Sequence, residues 1–508
     1  MNEISSLWQP FSFIILTIST IFLILIYKWY SNSMLTAINK RSPPSPPKLP
    51  IIGNLHQLGL YPHRSLQTLA RRHGPLMLLH LGGVPVLVVS SAELAKQIMK
   101  THDITFSDRP KLTAFDKLLY NCKDVAAAPY GEYWRQAKSI GVLHLLSSKR
   151  VQSFRVVREE ETKFMVENIE KFCLSSSSVN LSQIFTKLTN DVVCRVALGR
   201  KYDDGEDGKK FKKLLGDFVE LLGTFFIGDY IPLLSWLSFV SGLDGKLKKV
   251  AKEFDDFLEK VVEEHVYVGN EDNKDFIDIL LHVQKENLLG FSLDRVCIKA
   301  LVLDVFAAGT DTTSTVLDWT MTELLRHPGI MHKLQDEVRS IAGSKTHITE
   351  DDLEAMHYLK ALIKETLRLH TPAPLLVPRV SRTQVEINGY EIQPGSHVYI
   401  NAWAIGRDPT SWERPEEFDP DSFLRSDVDY KGHDFRLIPF GSGRRVCPGI
   451  QFAMAINEIA LANVVRRFDW GLPDGARGGD LDLSESNGIT IHRKFPLIAL
   501  PVLYNPLC

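Results

Sequence analysis

The segment PFGSGRRVCPG, residues 439–449, places one cysteine, Cys447, after two arginines and before a Pro-Gly pair. The stretch that follows it, IQFAMAINEIALANVVRRF, has the apolar spacing of an amphipathic helix. Cys447 therefore stands just before a helix N-terminus, where exposed amides and the charges of Arg444 and Arg445 favour a thiolate. A thiolate serves as a nucleophile or as a metal ligand. A nucleophile needs a histidine base, and no nearby histidine is an obvious candidate, whereas glycines and amide donors suit an iron ligand.

A run of small polar residues interrupts a second apolar helix. Residues 301–328, LVLDVFAAGTDTTSTVLDWTMTELLRHP, keep helical apolar spacing from end to end. In the middle, Gly309 costs about 1 kcal/mol relative to Ala, and TDTT at 310–313 is a run of poor helix formers. Such residues loosen the hydrogen bonding of a helix and leave a groove. A solvated polar face is the alternative, but the apolar residues on both sides disfavour it, so the sequence predicts a functional groove.

A third segment carries an acid and a base one helical turn apart. LIKETLRLHTPAPLLVPRV, residues 362–380, begins as a helix that a proline ends. Glu365 and Arg368 lie on one face of that helix, where an ion pair forms easily. Exposed pairs of this kind are common and add little stability, so the pair alone indicates no function. Short strands are predicted after it, with turns at Asn388-Gly389 and Pro394-Gly395.

The bulk composition excludes several classes of protein. The chain has 508 residues, 44% hydrophobic and 24% charged, with a formal net charge of −2. A near-neutral charge argues against nucleic acid as a partner. The six cysteines are scattered without a CxxC motif, which fits neither a disulfide framework nor a zinc site and suits a reducing compartment. HExxH, GxSxG and P-loop motifs do not occur in the sequence, so zincin, serine-hydrolase and NTPase functions lack support.

The N-terminal sequence predicts a membrane anchor. No charged residue occurs from Phe11 to Tyr27, a stretch long enough to cross a hydrocarbon core as a helix. A cleaved signal peptide would begin with basic residues and have a shorter apolar run. Here Glu3 comes first and the basic residues Lys28 and Lys40 follow the apolar run, so the positive-inside rule keeps the body of the protein in the cytosol.

The predicted domain organisation has three parts. RSPPSPPKLPIIGN, residues 41–54, is a stiff, extended segment that cannot continue a helix. No repeat or long low-complexity linker follows it. We therefore predict an anchor over residues 1–30, a linker and proline-rich hinge over 31–55, and one unusually large domain over 56–508.

Four motifs, in this order, resemble those of the cytochrome P-450 family of haem-thiolate monooxygenases, and more narrowly its plant microsomal (A-type) group. They are AAGTDTT at 307–313, ETLR at 365–368, WERPEEFDPDSF at 412–423 and PFGSGRRVCPG at 439–449. PYGEYWRQAKSI at 129–140 and GITIHRKFPL at 488–497 extend the likeness across essentially the whole chain. The resemblance implies a mainly α fold with small β-sheets, in which a single large haem domain follows the transmembrane anchor helix.

The cysteine loop carries the most specific part of the resemblance. It satisfies the pattern F-x-x-G-x-R-x-C-x-G through Phe440, Gly443, Arg445, Cys447 and Gly449. The resemblance implies that Cys447 is the axial ligand of a haem b iron. It also implies that the haem propionates are bound by Trp134, Lys138, Arg379 and Arg445. Lys138 stands where arginine is common, so its contact would be a point charge rather than a fork.

The same resemblance implies roles for two further pairs of residues. Glu365 and Arg368 are expected to be structural, behind the haem. Asp311 and Thr312 are expected to face the oxygen side as catalytic residues. A hydroxyl there can hold oxygen species and a water, and a neighbouring carboxylate can relay protons from solvent.

The resemblance also predicts a substrate pocket. It would be lined by Val302, Phe306, Ala307, Thr310, Leu375, Leu376, Val377, Gly488 and Ile489. Most of these side chains are apolar, which favours a small lipophilic substrate, although each could equally be an ordinary core residue. The plant likeness suggests a specialised metabolite such as a terpenoid, phenolic, coumarin, alkaloid or oxime.

Partners and location follow from the resemblance as well. Electrons are expected from NADPH through NADPH–cytochrome reductase, with cytochrome b5 as a second candidate donor, and O2 as co-substrate. The protein is expected in the endoplasmic reticulum membrane, single-pass, with its catalytic domain on the cytosolic face. Two other functions stay open: a haem-thiolate isomerase or dehydratase that does not use O2, and a non-catalytic haem protein. The Asp311-Thr312 pair argues against the first, and an apolar pocket beside a proton groove argues against the second.

One position departs from the family pattern. Relatives commonly read P-E-R-F in the segment before the cysteine loop, and their arginine joins the Glu-Arg pair. Here the segment reads PDSF, with Ser422 at the arginine position. We hypothesise that Arg414 or Arg425 substitutes for the missing arginine.

Overall fold

The computed structural model describes residues 41–202, 205–268, 275–286 and 293–505, together with six helical residues between 16 and 24. The predicted anchor, residues 1–30, and the first part of the predicted linker lie almost entirely outside the described residues. Within the described part of the chain, no single helix has both the length and the apolar composition needed to cross a membrane. One bent pair, Gly208–Asp229 with Pro232–Val240, satisfies that length and composition when taken together.

Helices dominate the described residues, in agreement with the predicted fold class. The α-helices are α1 (Pro62–His73), α2 (Ala92–Lys96), α3 (Thr113–Leu118), α4 (Glu132–Ile140), α5 (Ser148–Ser153), α6 (Arg155–Leu174), α7 (Leu181–Leu198), α8 (Glu206–Leu222), α9 (Trp236–Val240), α10 (Leu243–Val268), α11 (Phe276–Glu286), α12 (Arg295–Gly309), α13 (Asp311–Arg326), α14 (Pro328–Ala342), α15 (His357–Leu369), α16 (Ala402–Ile405), α17 (Asp421–Leu424) and α18 (Ile450–Arg467). The last of these confirms the helix predicted after the cysteine loop.

Three small sheets accompany the helices. Their strands are β1 (Leu76–Leu81), β2 (Val84–Val89), β3 (Val179–Asn180), β4 (Arg379–Val380), β5 (Val385–Ile387), β6 (Tyr390–Ile392), β7 (His397–Ile400), β8 (Phe468–Gly471) and β9 (Ile498–Leu503). The sheet orders are β1-β2-β7-β4, β3-β9-β8 and β5-β6. Only the β2–β7 pairing is parallel among these strands. The turn between β5 and β6 is the predicted Asn388-Gly389, and both residues have positive φ, as a tight hairpin turn requires.

The core is built around α12 and α13, which pack against α7, α15 and α18. Phe306, Leu317, Leu362 and Leu461 from these helices are fully buried in one cluster. Burying each such side chain contributes about 1.5–3 kcal/mol. Because these helices are held from several sides, the groups that they carry have fixed positions.

The helix predicted over residues 301–328 is two helices that meet at Thr310. Gly309 ends α12 where a Cβ would approach Val193 of α7 to 3.1 Å. The Thr312 hydroxyl donates to the Ala308 carbonyl oxygen at 2.6 Å. A hydroxyl that bonds the carbonyl four residues back bends a helix. The predicted loosening is therefore present, and it is strong enough to divide the helix.

The proline-rich segment is extended and held against the sheets. The backbone amide of Leu78 in β1 donates to the Pro44 carbonyl oxygen at 2.9 Å, and that of Glu391 in β6 donates to the Arg41 carbonyl oxygen at 2.7 Å. The fully buried Asn54 side chain accepts from the His80 amide and donates to the Pro47 carbonyl oxygen. Residues 41–54 therefore have a fixed direction relative to the body.

Candidate active site

Cys447 lies in a loop that is fixed at both ends. Its backbone amide donates to the Phe440 carbonyl oxygen at 3.0 Å, and α18 begins three residues after it. Burial raises the pKa of the Cys447 thiol, while the Gly449 amide, which donates to the sulfur, and the charge of Lys138 act in the opposite direction. The loop therefore presents a sulfur that a bound cation would convert to the thiolate.

Gly443 allows the loop to approach its neighbour closely. It has a φ of +71°, and a Cβ there would lie 2.1 Å from the backbone oxygen of Met99. Asp103, just beyond Met99, accepts from the Arg444 amide at 3.0 Å. A larger residue at position 443 would push the loop away from residues 97–103, so this glycine is required by the close approach.

Arginine and tryptophan side chains predicted to bind propionates lie together beside this loop. The Arg445 guanidinium is 4.2 Å from the centre of the Trp134 ring and donates to the carbonyl oxygens of Ser107 and Ala128. The Trp134 indole donates to the Val125 carbonyl oxygen at 3.0 Å. These contacts place both side chains against residues 107–128, on the same side of the loop.

The other two predicted cations reach the loop from different elements. Lys138, on α4, donates to the Arg444 carbonyl oxygen. Arg379, on β4, donates to the Ser442 carbonyl oxygen at 2.9 Å and lies 3.6 Å from Asp103. The structure therefore brings all four predicted propionate ligands to one place.

Sequence reasoning missed a fifth member, Arg109. Its guanidinium donates to the backbone oxygens of Ala126, Val377 and Pro378. Burial lowers the pKa of Arg109 well below its usual value, and the charges of Arg379 and Arg445 lower it further. In the sequence, Arg109 appears only as a single arginine in FSDRP, residues 106–110. The other cations of the site are far from it along the chain, so no sequence motif connects them.

The cations repel one another, and this repulsion shows whether the charges of these residues suit a haem with two propionates. Burial lowers the pKa of Arg445 to about 10, with Arg379 contributing, and that of Lys138 to about 8, with Arg445 contributing. Burial also lowers the pKa of Arg379 to about 10. Asp103 offsets part of this positive charge, and two propionates would supply two further anions. The residues fit the group.

The break between α12 and α13, at Thr310, has one side that is not covered by other residues. Ala308 is exposed, although α12 is otherwise mostly buried, and Thr312 beside it is half-buried. The hydroxyls of Thr310 and Thr313 and the Asp311 Oδ2 are buried without a hydrogen-bond partner among the described residues. Unpaired polar atoms of this kind are costly unless water or a ligand satisfies them. The predicted groove is thus polar, and it lies against open space.

Glu365 and Arg368 form a buried network rather than a surface pair. Arg368 donates twice to Glu365, at 2.6 and 2.7 Å. Its remaining donors bond the carbonyl oxygens of Gly406, Pro415 and Glu417. Because these carbonyls belong to the segment before the cysteine loop, the pair fixes that segment against α15.

The hypothesis that an arginine replaces the residue missing at Ser422 requires correction. Arg414 and Arg425 both pair with the carboxylate of Asp419 and not with Glu365. The backbone amide of Asp419 donates to Glu365 at 2.6 Å. Ser422 itself donates to the Asp419 carbonyl oxygen at 2.8 Å. The backbone amide of Asp419 therefore takes the place of the missing arginine beside Glu365. Arg414 and Arg425 hold that amide in place by pairing with the Asp419 carboxylate.

A cavity of about 2000 Å³ lies beside the helix break. Six of the predicted pocket residues line it: Phe306, Thr310, Leu375, Leu376, Gly488 and Ile489. Val302 is instead buried in the core, and Ala307 and Val377 pack against that core. These three are not among the described residues that line the cavity. Further apolar lining residues come from α3, from α8 and from the segment that follows α8, among them Phe115, Leu215 and Phe226.

Comparisons with known proteins agree on one family. The family model described as Cytochrome P450 matches residues 43–495. Cytochrome P450 736A117 from Prunus mume is 63% identical, over 98% of this chain and 97% of that protein, and norfluorocurarine oxidase from a Strychnos species is 52% identical, over 94% and 95%. A solved zebra fish cytochrome P450 with progesterone has a TM-score of 0.74 at 25% identity, covering 87% of this chain and 99% of that chain. This chain therefore belongs to the cytochrome P-450 family, the haem-thiolate monooxygenases that take electrons through a reductase and use O2 on lipophilic substrates.

Proposed function

We propose that Cys447 would bind the haem iron through its thiolate, in the loop shaped by Phe440, Gly443 and Gly449. The observation that carries this proposal is the convergence of buried cations beside that loop. Trp134, Lys138, Arg379, Arg445 and the newly added Arg109 hold the propionates. Such a haem supplies reductive activation of O2, and electron donation by the thiolate favours O–O cleavage.

Asp311 and Thr312 move the protons that this reaction consumes. Asp311 carries a buried carboxylate oxygen at the break between α12 and α13, and the Thr312 hydroxyl lies on the open side of that break. The hydroxyl positions a water and the carboxylate passes protons to it. An isomerase or dehydratase would have no use for this pair, which is why a monooxygenase is favoured over those reactions.

Turnover with NADPH, a reductase and a panel of lipophilic plant metabolites tests the function. The expected result is an oxygenated product from at least one compound, with label from ¹⁸O2 incorporated once. Conversion of a panel compound without NADPH or O2 would instead support the isomerase or dehydratase. Haem binding without conversion of any compound under either condition would support the non-catalytic haem protein.

Replacing Thr312 by Ala is expected to uncouple the reaction. The variant loses one hydroxyl from an already divided helix, so folding, haem content and substrate binding should stay near those of the parent. Proton delivery should suffer, so product per NADPH should fall by about tenfold or more while peroxide rises. Thr68→Ala is the matched control, because the exposed Thr68 hydroxyl makes the same kind of bond to a carbonyl four residues back. Tightly coupled turnover in Thr312→Ala would remove Thr312 from the relay.

The proposal includes attachment to the endoplasmic reticulum membrane, with cytochrome b5 as a second electron donor. Residues 1–30 are the anchor and residues 31–55 are the hinge. Residues 56–508 form the catalytic domain on the cytosolic face of the membrane. An exposed apolar surface supports it. Leu233, Trp236 and Phe239 are 84%, 56% and 78% exposed. The segment that bears them packs with residues 52–58 in one hydrophobic cluster, close to where the hinge ends. Exposed apolar side chains in one patch mark an interaction surface.

Membrane partition of two chain lengths is expected to separate the anchor from this patch. Removing residues 1–28 should release much of the protein and keep its haem, and changing Leu233, Trp236 and Phe239 to Ser in that shorter chain should release most of the remainder. Each apolar side chain removed from the bilayer surface costs about 1.5–3 kcal/mol of binding. Leu174→Ser, at the 82% exposed end of α6, is the control. Equal partition of the patch variant and the control would contradict a membrane role for the patch.

A further inference from the structure

A histidine from the segment between β8 and β9 lies beside Asp311. His492 Nε2 is 3.4 Å from Asp311 Oδ2, and both residues line the cavity. The His492 side chain is 36% exposed and that of Asp311 is 23% exposed. The imidazole therefore stands between bulk water and the carboxylate, where it can exchange protons with both.

The hydrogen bonds of the His492 ring determine which of its two nitrogens carries the transferable proton. The Thr315 hydroxyl donates to the Asp311 carbonyl oxygen at 2.8 Å, and its oxygen is 2.8 Å from His492 Nδ1. Because the hydroxyl proton is used toward that carbonyl, the oxygen accepts from Nδ1–H. Nε2 is left to face the Asp311 carboxylate, and its proton is the one that can leave.

The charges around the ring leave it with Asp311 as its partner. Asp318, on the same helix, accepts from the Ser182 hydroxyl at 2.8 Å. Arg493, the next residue in the chain, donates to the Thr322 hydroxyl and to the carbonyl oxygens of Asp482 and Phe495. The charged group within 3.4 Å of Nε2 is thus the carboxylate of Asp311.

We propose that His492 supplies protons to Asp311 from solvent, as a positioning residue for proton delivery that rests on the proposed roles of Asp311 and Thr312. In the step, the Nε2–H bond breaks and an O–H bond forms on Asp311 Oδ2. The imidazolium becomes neutral imidazole, held by Thr315 through Nδ1–H, and the carboxylate becomes a carboxylic acid. A hydronium ion of bulk water then returns a proton to Nε2. Imidazole suits the task because it gains and loses protons near neutral pH.

His492→Gln tests the step in the haem-loaded, full-length protein. Glutamine keeps a polar side chain of similar reach but cannot carry a mobile proton. With the panel compound that the parent oxidises, peroxide per NADPH should rise and product per NADPH should fall by about tenfold, less than for a group that contacts the reacting atoms. Haem content and the reduced-CO spectrum should stay unchanged. His282→Gln, exposed on α11, is the matched control.

A pH profile separates proton supply from a structural role. In the parent, product per NADPH should decline as pH rises, because the protonated donor form disappears. In His492→Gln the same ratio should be low and flat with pH. A variant whose ratio is lower than the parent's by a constant factor at every pH would assign His492 a structural role and overturn the proposal.

Two further measurements keep the outcomes apart. In protein labelled with [¹³Cε1]histidine, the signal absent from His492→Gln should shift in Asp311→Asn and not in Asp256→Asn, a change at an exposed position of α10. An unmoved signal would overturn the contact on which the step depends. If Asp311→Asn and Thr312→Ala uncouple turnover while His492→Gln does not, the inference fails and the proposed function stands. If none of the three uncouples turnover, the proposed relay fails as well.

Discussion

Cys447→Ser should abolish the reduced-CO absorbance typical of haem-thiolate proteins and reduce monooxygenase activity to background. A serine hydroxyl is not ionised near neutral pH, so the iron would lose the anionic sulfur on which the O–O cleavage chemistry depends. The fold should survive, because serine is close to cysteine in size and the backbone amide at 447 keeps its bond to Phe440. Absorbance spectroscopy of the reduced, CO-treated protein is the measurement.

The other cysteines provide the control for this prediction. Cys173 is only partly buried near the end of α6, so Cys173→Ser should keep the parent spectrum and activity. The buried Cys194 is a poorer control, because a more polar hydroxyl in its place would be buried in the core. An unchanged CO spectrum in Cys447→Ser would mean that another group ligates the iron, and the central assignment would be wrong.

Arg368→Leu should destabilise the protein by about 3–5 kcal/mol, because it leaves the buried Glu365 carboxylate without its charge partner. Glu365 is 0% and Arg368 2% exposed. The change also strands three carbonyl oxygens of residues 406–417. That segment leads into the cysteine loop, so haem incorporation should fall together with the melting temperature. Both quantities are measured on protein expressed and purified in parallel with the parent.

Two companion variants show whether the effect arises from the buried network. Arg414→Ala removes a pair that is exposed on the arginine side and should cost no more than about 1 kcal/mol. Arg368→Lys keeps the charge but not the planar fork, so it should fall between Arg368→Leu and the parent. If Arg368→Leu melts at the parent temperature with full haem, residues 406–417 are held by other contacts and the structural role is wrong.

Local chemistry explains what could be predicted before the fold was known. Cys447 with its glycines and arginines, the Glu365–Arg368 pair and the TDTT run are each contained within a dozen residues. Backbone geometry sets the distance between side chains that are this close in sequence, so the sequence pattern predicts which of them lie next to each other in space. The same is true of the helix after Cys447, whose apolar period predicted α18, and of the Asn388-Gly389 turn.

The tertiary structure decided every relation between segments that are distant in the chain. Arg109 joins Arg379 and Arg445 only because β4 and the cysteine loop come together beside residues 107–128. The substitute for the arginine missing at Ser422 is a backbone amide, and amides carry no signature in a sequence. Val302 lies in the core because its direction from α12 depends on how α7 and α11 pack around that helix.

By itself the sequence predicted the cysteine loop as a haem-binding segment, the fold class and the loosening of the helix at residues 309–313, because each depends on residue types within a few turns of chain. Only the tertiary structure decided that Asp311 has His492 beside it. One lies at the start of α13 and the other between β8 and β9, so no periodicity relates them. Side-chain contacts of this kind are set by the packing of whole elements, in which a shift of one residue would turn a side chain to another face.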